Sequence, residues 1–205
     1  MSVAAATRGA DRWGFPELVI FVAGASTLGA EIAAARLVAP AFGASTVVWA
    51  NTIAVVLVAL AGGYWLGGRL SDRHPHAPGM ARAALLGAAL VALIPLVAIP
   101  LLDITEDSLA ELPGSLLALL VLVAPPVLVL GALSPWAIRL RVRAVSGAGD
   151  VTGRIYALST AGGLVGNFAA ALALIPWLGT RWTFLICAAL LAAVSAPVAW
   201  LSRPA

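Results

Sequence analysis

The sequence predicts an all-α protein, a polytopic bundle of six transmembrane helices. Two observations lead to this prediction. Only 10% of the 205 residues are charged and 62% are hydrophobic, whereas about a quarter of the residues in a soluble domain are charged. The charged residues also separate long apolar runs, and about 20 apolar residues suffice to cross the roughly 30 Å hydrocarbon core of a bilayer. The lipid bilayer is therefore the expected surrounding of most of the chain.

The first span is predicted at residues 18–38, after a cytoplasmic arm at residues 1–17. Arg8 and Arg12 precede it, so a cleaved signal peptide is the alternative interpretation. The apolar stretch is long enough to cross a bilayer and contains Glu31, and both features favour an uncleaved helix.

The remaining spans follow after short connections within a transmembrane domain at residues 18–202. The turn-like segment Ala39–Ser45 precedes the second span, and Pro113 is expected to begin the fourth. Pro125 and Pro126 should interrupt that fourth helix, because proline removes a backbone hydrogen bond. The predicted positions are about 46–69, 80–102, 113–138, 154–178 and 181–202.

Arginine distribution predicts the orientation, because cytoplasmic segments of membrane proteins are rich in basic residues. All twelve basic residues are arginines, and with an internal N-terminus only Arg36 and Arg181 would face outside. Both termini are therefore expected in the cytoplasm. Because topology explains these arginines, nucleic acid is not an expected partner. The ten cytoplasmic arginines would be Arg8, Arg12, Arg69, Arg73, Arg82, Arg139, Arg141, Arg143, Arg154 and Arg203.

Glu31 is the main candidate for a functional residue. A carboxylate within a membrane span is unfavourable unless it is partnered or protonated, so Glu31 is interpreted as a substrate-cation or proton site. A structural ion pair with Arg36 is the alternative, but five residues separate the two by about 140° around the helix. Arg36 is therefore expected to extend to the outer surface.

Other polar and aromatic residues within the spans are candidates for lining a substrate cavity. Interhelical hydrogen bonds are the alternative for the asparagines, and an interfacial aromatic belt is the alternative for the aromatic residues. The candidates are Trp49, Asn51, Tyr64 and Asn167.

Pairs of glycines spaced by four residues occur in two spans. Gly63 and Gly67, and likewise Gly162 and Gly166, would allow close approach of a neighbouring helix. The alternative is that glycine is simply frequent in transmembrane helices.

Catalytic patterns are not recognisable in the sequence. It contains no nucleophile near a suitable base, no cluster of metal ligands and no phosphate-binding loop. The only cysteine, Cys187, lies in an apolar run. No enzymatic activity, cofactor or metal is therefore expected.

The segment Gly62–Arg73 (GGYWLGGRLSDR) resembles the cytoplasmic loop between helices 2 and 3 of the major facilitator superfamily. Gly68, Asp72 and Arg73 match its Gly-x-x-x-Asp-Arg pattern. The resemblance implies that the glycine lets helices approach and that the aspartate pairs with arginines as an inner gate. The candidate arginines below helix 4 are Arg139, Arg141 and Arg143, with Arg154 nearby.

A second resemblance covers about residues 18–183. Glu31, Arg36, the Pro40–Ser45 segment and Trp49 are similar to the membrane part of bacterial fused major-facilitator/spermidine synthase proteins, as are Ser134-Pro135, Gly153–Thr160 and Ile175–Thr180. The resemblance implies a half-facilitator in the bacterial inner (plasma) membrane. In that family the helices precede a soluble aminopropyltransferase-like domain, which has no counterpart in these 205 residues.

Six helices form half of a facilitator, whose two halves are parallel repeats. A homodimer could reproduce that architecture, with helices 1–3 and 4–6 as inverted repeats within each chain. The expected function is transport of a small, polyamine-like cationic solute. One alternative is a non-transporting anchor or scaffold for a separate soluble aminopropyltransferase; another is a structural membrane subunit.

Overall fold

The computed structural model describes residues 14–142 and 144–201. Every regular element within these ranges is helical, which confirms the all-α prediction for the described chain. Most of the predicted N-terminal arm and Arg8, Arg12, Arg143 and Arg203 lie outside the described residues. The elements are α1 (Phe15–Phe42), α2 (Thr46–Arg73), α3 (Ala77–Ser108), α4 (Glu111–Leu122), α5 (Ala124–Arg141), α6 (Ala148–Ala169), a π-helical segment (Ala170–Leu174) and α7 (Ile175–Leu201).

Several of these helices have the length and composition of membrane spans. Four continuous helical segments in the described ranges qualify, or five when α4 and α5, bent by 51°, count together. The last segment, 148–200, has 53 residues and would measure about 80 Å as a straight helix. Non-helical backbone at Gly179 (φ 85°, ψ 170°) interrupts it. These helices indicate a multi-pass membrane protein.

The helix ends differ from the predicted ends by several residues. α1 begins at Phe15, before the predicted start at residue 18, and it continues through Pro40. The turn after α1 is therefore shorter than predicted: Gly43, with φ 80°, ends the helix in a conformation that favours glycine. Ser45 then caps α2 by accepting a hydrogen bond from the Val48 amide at 3.2 Å.

The connection between α3 and α4 is also shorter than predicted. α3 continues to Ser108 and α4 begins at Glu111, so most of the predicted outer loop is helical. The predicted interruption of the fourth span is present, because α4 ends at Leu122 and Pro125 and Pro126 lie in the first turn of α5. Proline suits that position, since amides in the first turn have no helical partner.

Close helix packing depends on the paired glycines. The most extensive pairings are α1 with α6, α2 with α5, and α3 with α7. A Cβ atom at Gly63 or Gly67 would overlap α5 backbone, and one at Gly162 or Gly166 would overlap α1 backbone. The predicted close approach is therefore confirmed at both glycine pairs.

Gly68 does not have the packing role that the facilitator pattern implies. A Cβ atom added there would meet no atom of the described chain within 4 Å. Its neighbour Gly67 faces α5 instead, because consecutive helical residues point about 100° apart. A role of Gly68 in helix approach therefore has no support from the described chain, and its place in a gate stays a prediction.

Candidate functional site: a cavity with hydroxyl groups among four helices

A cavity of about 190 Å³ lies among α1, α2, α5 and α6. Thr27 and Leu28 are near the middle of α1, and Leu60 is near the middle of α2. The cavity is therefore at mid-helix, where a spanning bundle is farthest from water. Its wall consists of Ala23, Gly24, Thr27, Leu28, Leu60, Tyr64, Leu130, Gly131, Ser134, Ser159, Thr160 and Gly163.

Five hydroxyl groups give the cavity its polarity. The Thr27 hydroxyl donates to the Ala23 carbonyl of its own helix at 2.8 Å. The other four have no hydrogen bond to any part of the chain that the structure describes. Because unpaired polar groups are unfavourable in a hydrocarbon environment, these hydroxyl groups are suited to contact water or a polar ligand. These four belong to Tyr64, Ser134, Ser159 and Thr160.

The cavity opens on the surface of the bundle between α2 and α6. Tyr64 is 40% exposed at this rim, and Thr160 is exposed on the opposite side. Tyr156, one turn before Thr160 on α6, is 46% exposed. The opening is thus bordered by polar groups on both helices.

Glu31 and Asn167 lie one helical turn beyond the cavity wall. α1 and α6 run in the same direction, because Phe21 contacts Gly162 and, one turn on, Ala25 contacts Gly166. Glu31 follows Leu28 by three positions, and Asn167 follows Gly163 by four, so both lie beyond the same end of the cavity.

Neither of these two side chains has a partner in the described chain. Glu31 and Asn167 are half-buried, and neither makes a hydrogen bond or ion pair within residues 14–142 and 144–201. Arg36 is exposed and forms no ion pair with Glu31. Glu31 is therefore a half-buried carboxyl group next to a cavity that contains hydroxyl groups, available to a proton or a cation.

Asn51 and Trp49 are not part of the cavity wall. The Asn51 amide donates to the Leu112 carbonyl at 3.1 Å and to the Ser115 hydroxyl at 2.9 Å. It therefore joins α2 to the start of α4. Trp49 is 43% exposed in the first turn of α2, a position typical of an interfacial aromatic residue. Tyr64 lines this cavity and the other two do not, and a substrate contact of any of the three stays a prediction.

Two ion pairs join the helix ends on the predicted cytoplasmic side. Of the arginines expected near Asp72, Arg139 contacts it, with 3.2 Å between Nε and Oδ1. Arg141 instead contacts Glu17, a side chain only 5% exposed. The Gly14 amide also donates to Glu17, at 3.2 Å.

Within the described chain, Asp72 has one arginine partner, Arg139. Arg143 lies outside the described residues, and Arg154 is half-buried in the first two turns of α6. Arg73 is exposed and has no carboxylate partner in the described chain. The role of the Asp72–Arg139 pair as an inner gate stays a prediction.

Sequence reasoning missed Glu17 and the hydroxyl lining. Glu17 was assigned to the arm outside the membrane domain, although it lies three residues after Gly14, a spacing typical of a helix start. Ser159 and Thr160 were not among the candidates, and neither makes a hydrogen bond within the described chain. Ser26 does make an interhelical hydrogen bond, donating to the Cys187 carbonyl at 3.3 Å.

A pore, a solute site or a buried proton site could each use this arrangement, because it combines unpaired hydroxyl groups with a nearby carboxyl group at mid-helix. No protein family, curated protein or solved structure matches the chain.

Proposed function

We propose that the chain is a six-span membrane protein that moves a small, polyamine-like cationic solute through the cavity among α1, α2, α5 and α6. The observation that carries this proposal is the mid-helix position of four hydroxyl groups without hydrogen-bond partners in the described chain. Hydroxyl groups without partners are unfavourable in a hydrocarbon environment. In a solute path they would replace part of the hydration of a passing polar molecule.

Glu31 supports a cationic solute. Its carboxyl group is half-buried, lies one turn from the cavity wall and has no basic partner in the described chain. Ionisable residues in membrane spans typically mark ion pathways or proton relays. In the proposed mechanism Glu31 binds the solute ammonium group or a coupling proton, and Asn167 adds a neutral polar group nearby.

A six-span arrangement agrees with the helix pairing. The proposed spans are α1, α2, α3, the bent α4–α5 pair, the helix from Ala148 to the break at Gly179, and the rest of α7. The symmetry appears when span 1 is matched with span 4, span 2 with span 5, and span 3 with span 6. The α1–α6 pairing then corresponds to the α2–α5 pairing, and the α3–α7 pairing corresponds to itself. This symmetry supports inverted repeats and hence a half-facilitator, with both termini in the cytoplasm as the arginine distribution predicts.

The lateral opening of the cavity supports a homodimer. A monomer would expose Tyr64, Tyr156 and Thr160 to lipid tails along the rim between α2 and α6. A second copy related by a two-fold axis would cover this rim and enclose the cavity. Disulfide formation between two chains carrying Thr160→Cys and Cys187→Ala tests this arrangement.

Uptake of labelled spermidine into proteoliposomes tests the transport proposal. Wild-type protein should accumulate the label, and Glu31→Gln should reduce uptake at least tenfold because it removes the proposed cation-binding charge. Glu106→Gln is the matched control, since Glu106 is an exposed carboxylate near the end of α3, and it should behave as wild type. Unchanged uptake by Glu31→Gln would contradict the site assignment.

Absence of uptake, together with co-purification of a soluble aminopropyltransferase, would favour the scaffold alternative.

A further inference from the structure

The last two turns of α2 carry an exposed line of aromatic and basic side chains. Trp65, Arg69 and Arg73 are spaced by four residues, so they lie along one face of the helix. All three are exposed, Trp65 by 61%. We refer to these three residues as the α2 basic stripe. It lies at a helix end, where a span meets the headgroup region.

The stripe contains two arginines whose charge is not balanced by a carboxylate. Neither Arg69 nor Arg73 forms an ion pair with any described residue. Asp72, the acidic residue beside the stripe, is already paired with Arg139. These four charged side chains together carry a net charge of +2, from three arginines and one aspartate. The stripe is therefore a local positive surface.

Arg69 is positioned by Trp65. Its guanidinium carbon lies 3.8 Å from the centre of the indole ring, a distance typical of a cation–π contact. Stacking uses the face of the guanidinium group and leaves its N–H edge free to donate. Beside it, Gly68 leaves open space among the described residues, since a Cβ atom there would contact none of their atoms within 4 Å. A headgroup can therefore approach Arg69 without displacing a side chain.

We propose that the α2 basic stripe binds the phosphate of an anionic phospholipid headgroup. Guanidinium groups bind phosphate oxygens through paired N–H donors, and Arg69 and Arg73 supply two such groups one turn apart. The indole of Trp65 contacts the glycerol region of the same lipid, a depth at which tryptophan is enriched. This proposal is independent of transport, because it concerns an exposed face of α2 and not the cavity wall.

The test measures phospholipid binding by native mass spectrometry on the full-length protein. Phosphatidylglycerol and phosphatidylcholine are titrated separately into detergent-solubilised protein. The double variant Arg69→Gln/Arg73→Gln should bind phosphatidylglycerol about thirtyfold more weakly than wild type, from a typical attraction per arginine near an anionic surface. Phosphatidylcholine has the same phosphate but no net charge, so wild-type protein should bind it more weakly than phosphatidylglycerol, and the double variant should lose less affinity for it.

The matched control is Arg36→Gln/Arg82→Gln, which removes the same charge from two exposed arginines on other helices. It should retain wild-type affinity for phosphatidylglycerol. Equal weakening in both double variants would overturn the proposal, because it would show a response to net charge alone. Unchanged affinity in the stripe variant would also overturn it.

Arg69→Lys distinguishes a built site from a diffuse positive surface. It keeps the charge but loses the flat guanidinium group that stacks on Trp65. A built site should lose severalfold in phosphatidylglycerol affinity, whereas full retention would contradict a role for the stacked geometry. Thermal unfolding of each variant without added lipid should match wild type, which separates lipid binding from misfolding.

Discussion

Gly166 in α6 lies directly against the carbonyl oxygen of Ala25 in α1, so close that a Cβ atom on Gly166 would overlap that oxygen. Gly67 in α2 has the same relationship to the Ala132 carbonyl in α5. These two contacts bring together the helix pairs that form the cavity walls. The cavity therefore depends on glycines that face neighbouring backbone.

Replacement of Gly67 by alanine should destabilise the bundle by roughly 1–3 kcal/mol, because the added methyl group forces α2 away from α5. Gly68→Ala is the matched control, and it should be neutral or stabilising by up to about 1 kcal/mol from helix propensity. Thermal unfolding in detergent measures both. Equal destabilisation of the two variants would contradict the observed orientation of α2.

Glu17→Gln should destabilise the protein by about 3 kcal/mol, because it leaves the partly buried Arg141 guanidinium without its carboxylate. Asp72→Asn should cost less than about 1 kcal/mol, as is usual for an exposed ion pair. The Asp72 and Arg139 side chains are 74% and 47% exposed. In thermal unfolding, Glu17→Gln should therefore lower the stability more than Asp72→Asn. The reverse order would be inconsistent with the burial of Glu17.

Asn51→Ala should reduce stability by about 1 kcal/mol, the typical value for an interhelical hydrogen bond in a membrane protein. Spermidine uptake, corrected for the amount of folded protein, should remain at the wild-type level because Asn51 binds α4 and does not line the cavity. A selective loss of uptake with normal stability would indicate that Asn51 contacts the substrate and would contradict this prediction.

The break at Gly179 should lie at the outer membrane surface. In a Cys187→Ala background, Arg181→Cys should react with an impermeant maleimide added outside right-side-out vesicles. Gly149→Cys, before the same helical segment, should react only after permeabilisation. Reaction of both from the same side would contradict a single crossing between residues 149 and 181.

Much of the helical organisation is predictable from the sequence, because it depends on local properties. Apolar length, the proline pair at Pro125 and the arginine distribution depend on neighbouring residues alone. The helix ends are less predictable. Proline suggested a turn at Pro40, but α1 includes Pro40 and ends only before Gly43.

The cavity is predictable only in part, because its wall combines residues from four helices. Tyr64 was identified as a polar aromatic residue in a span, but nothing local separates Asn51, which binds α4, from Asn167, which does not. Ser159 and Thr160 likewise resemble ordinary small polar residues of a membrane helix. Which hydroxyl groups remain without partners depends on how α1 and α2 pack, and that depends on contacts far apart in sequence.

The water accessibility of the cavity is the most direct test of a solute path at mid-helix. In a Cys187→Ala background, Ser159→Cys should react rapidly with a small water-soluble methanethiosulfonate reagent in reconstituted vesicles. Val165→Cys, 54% exposed on another face of the same helix, should react at least tenfold more slowly because it faces lipid. Equally slow reaction at both positions would show a dry, packed interior and contradict the proposed solute path.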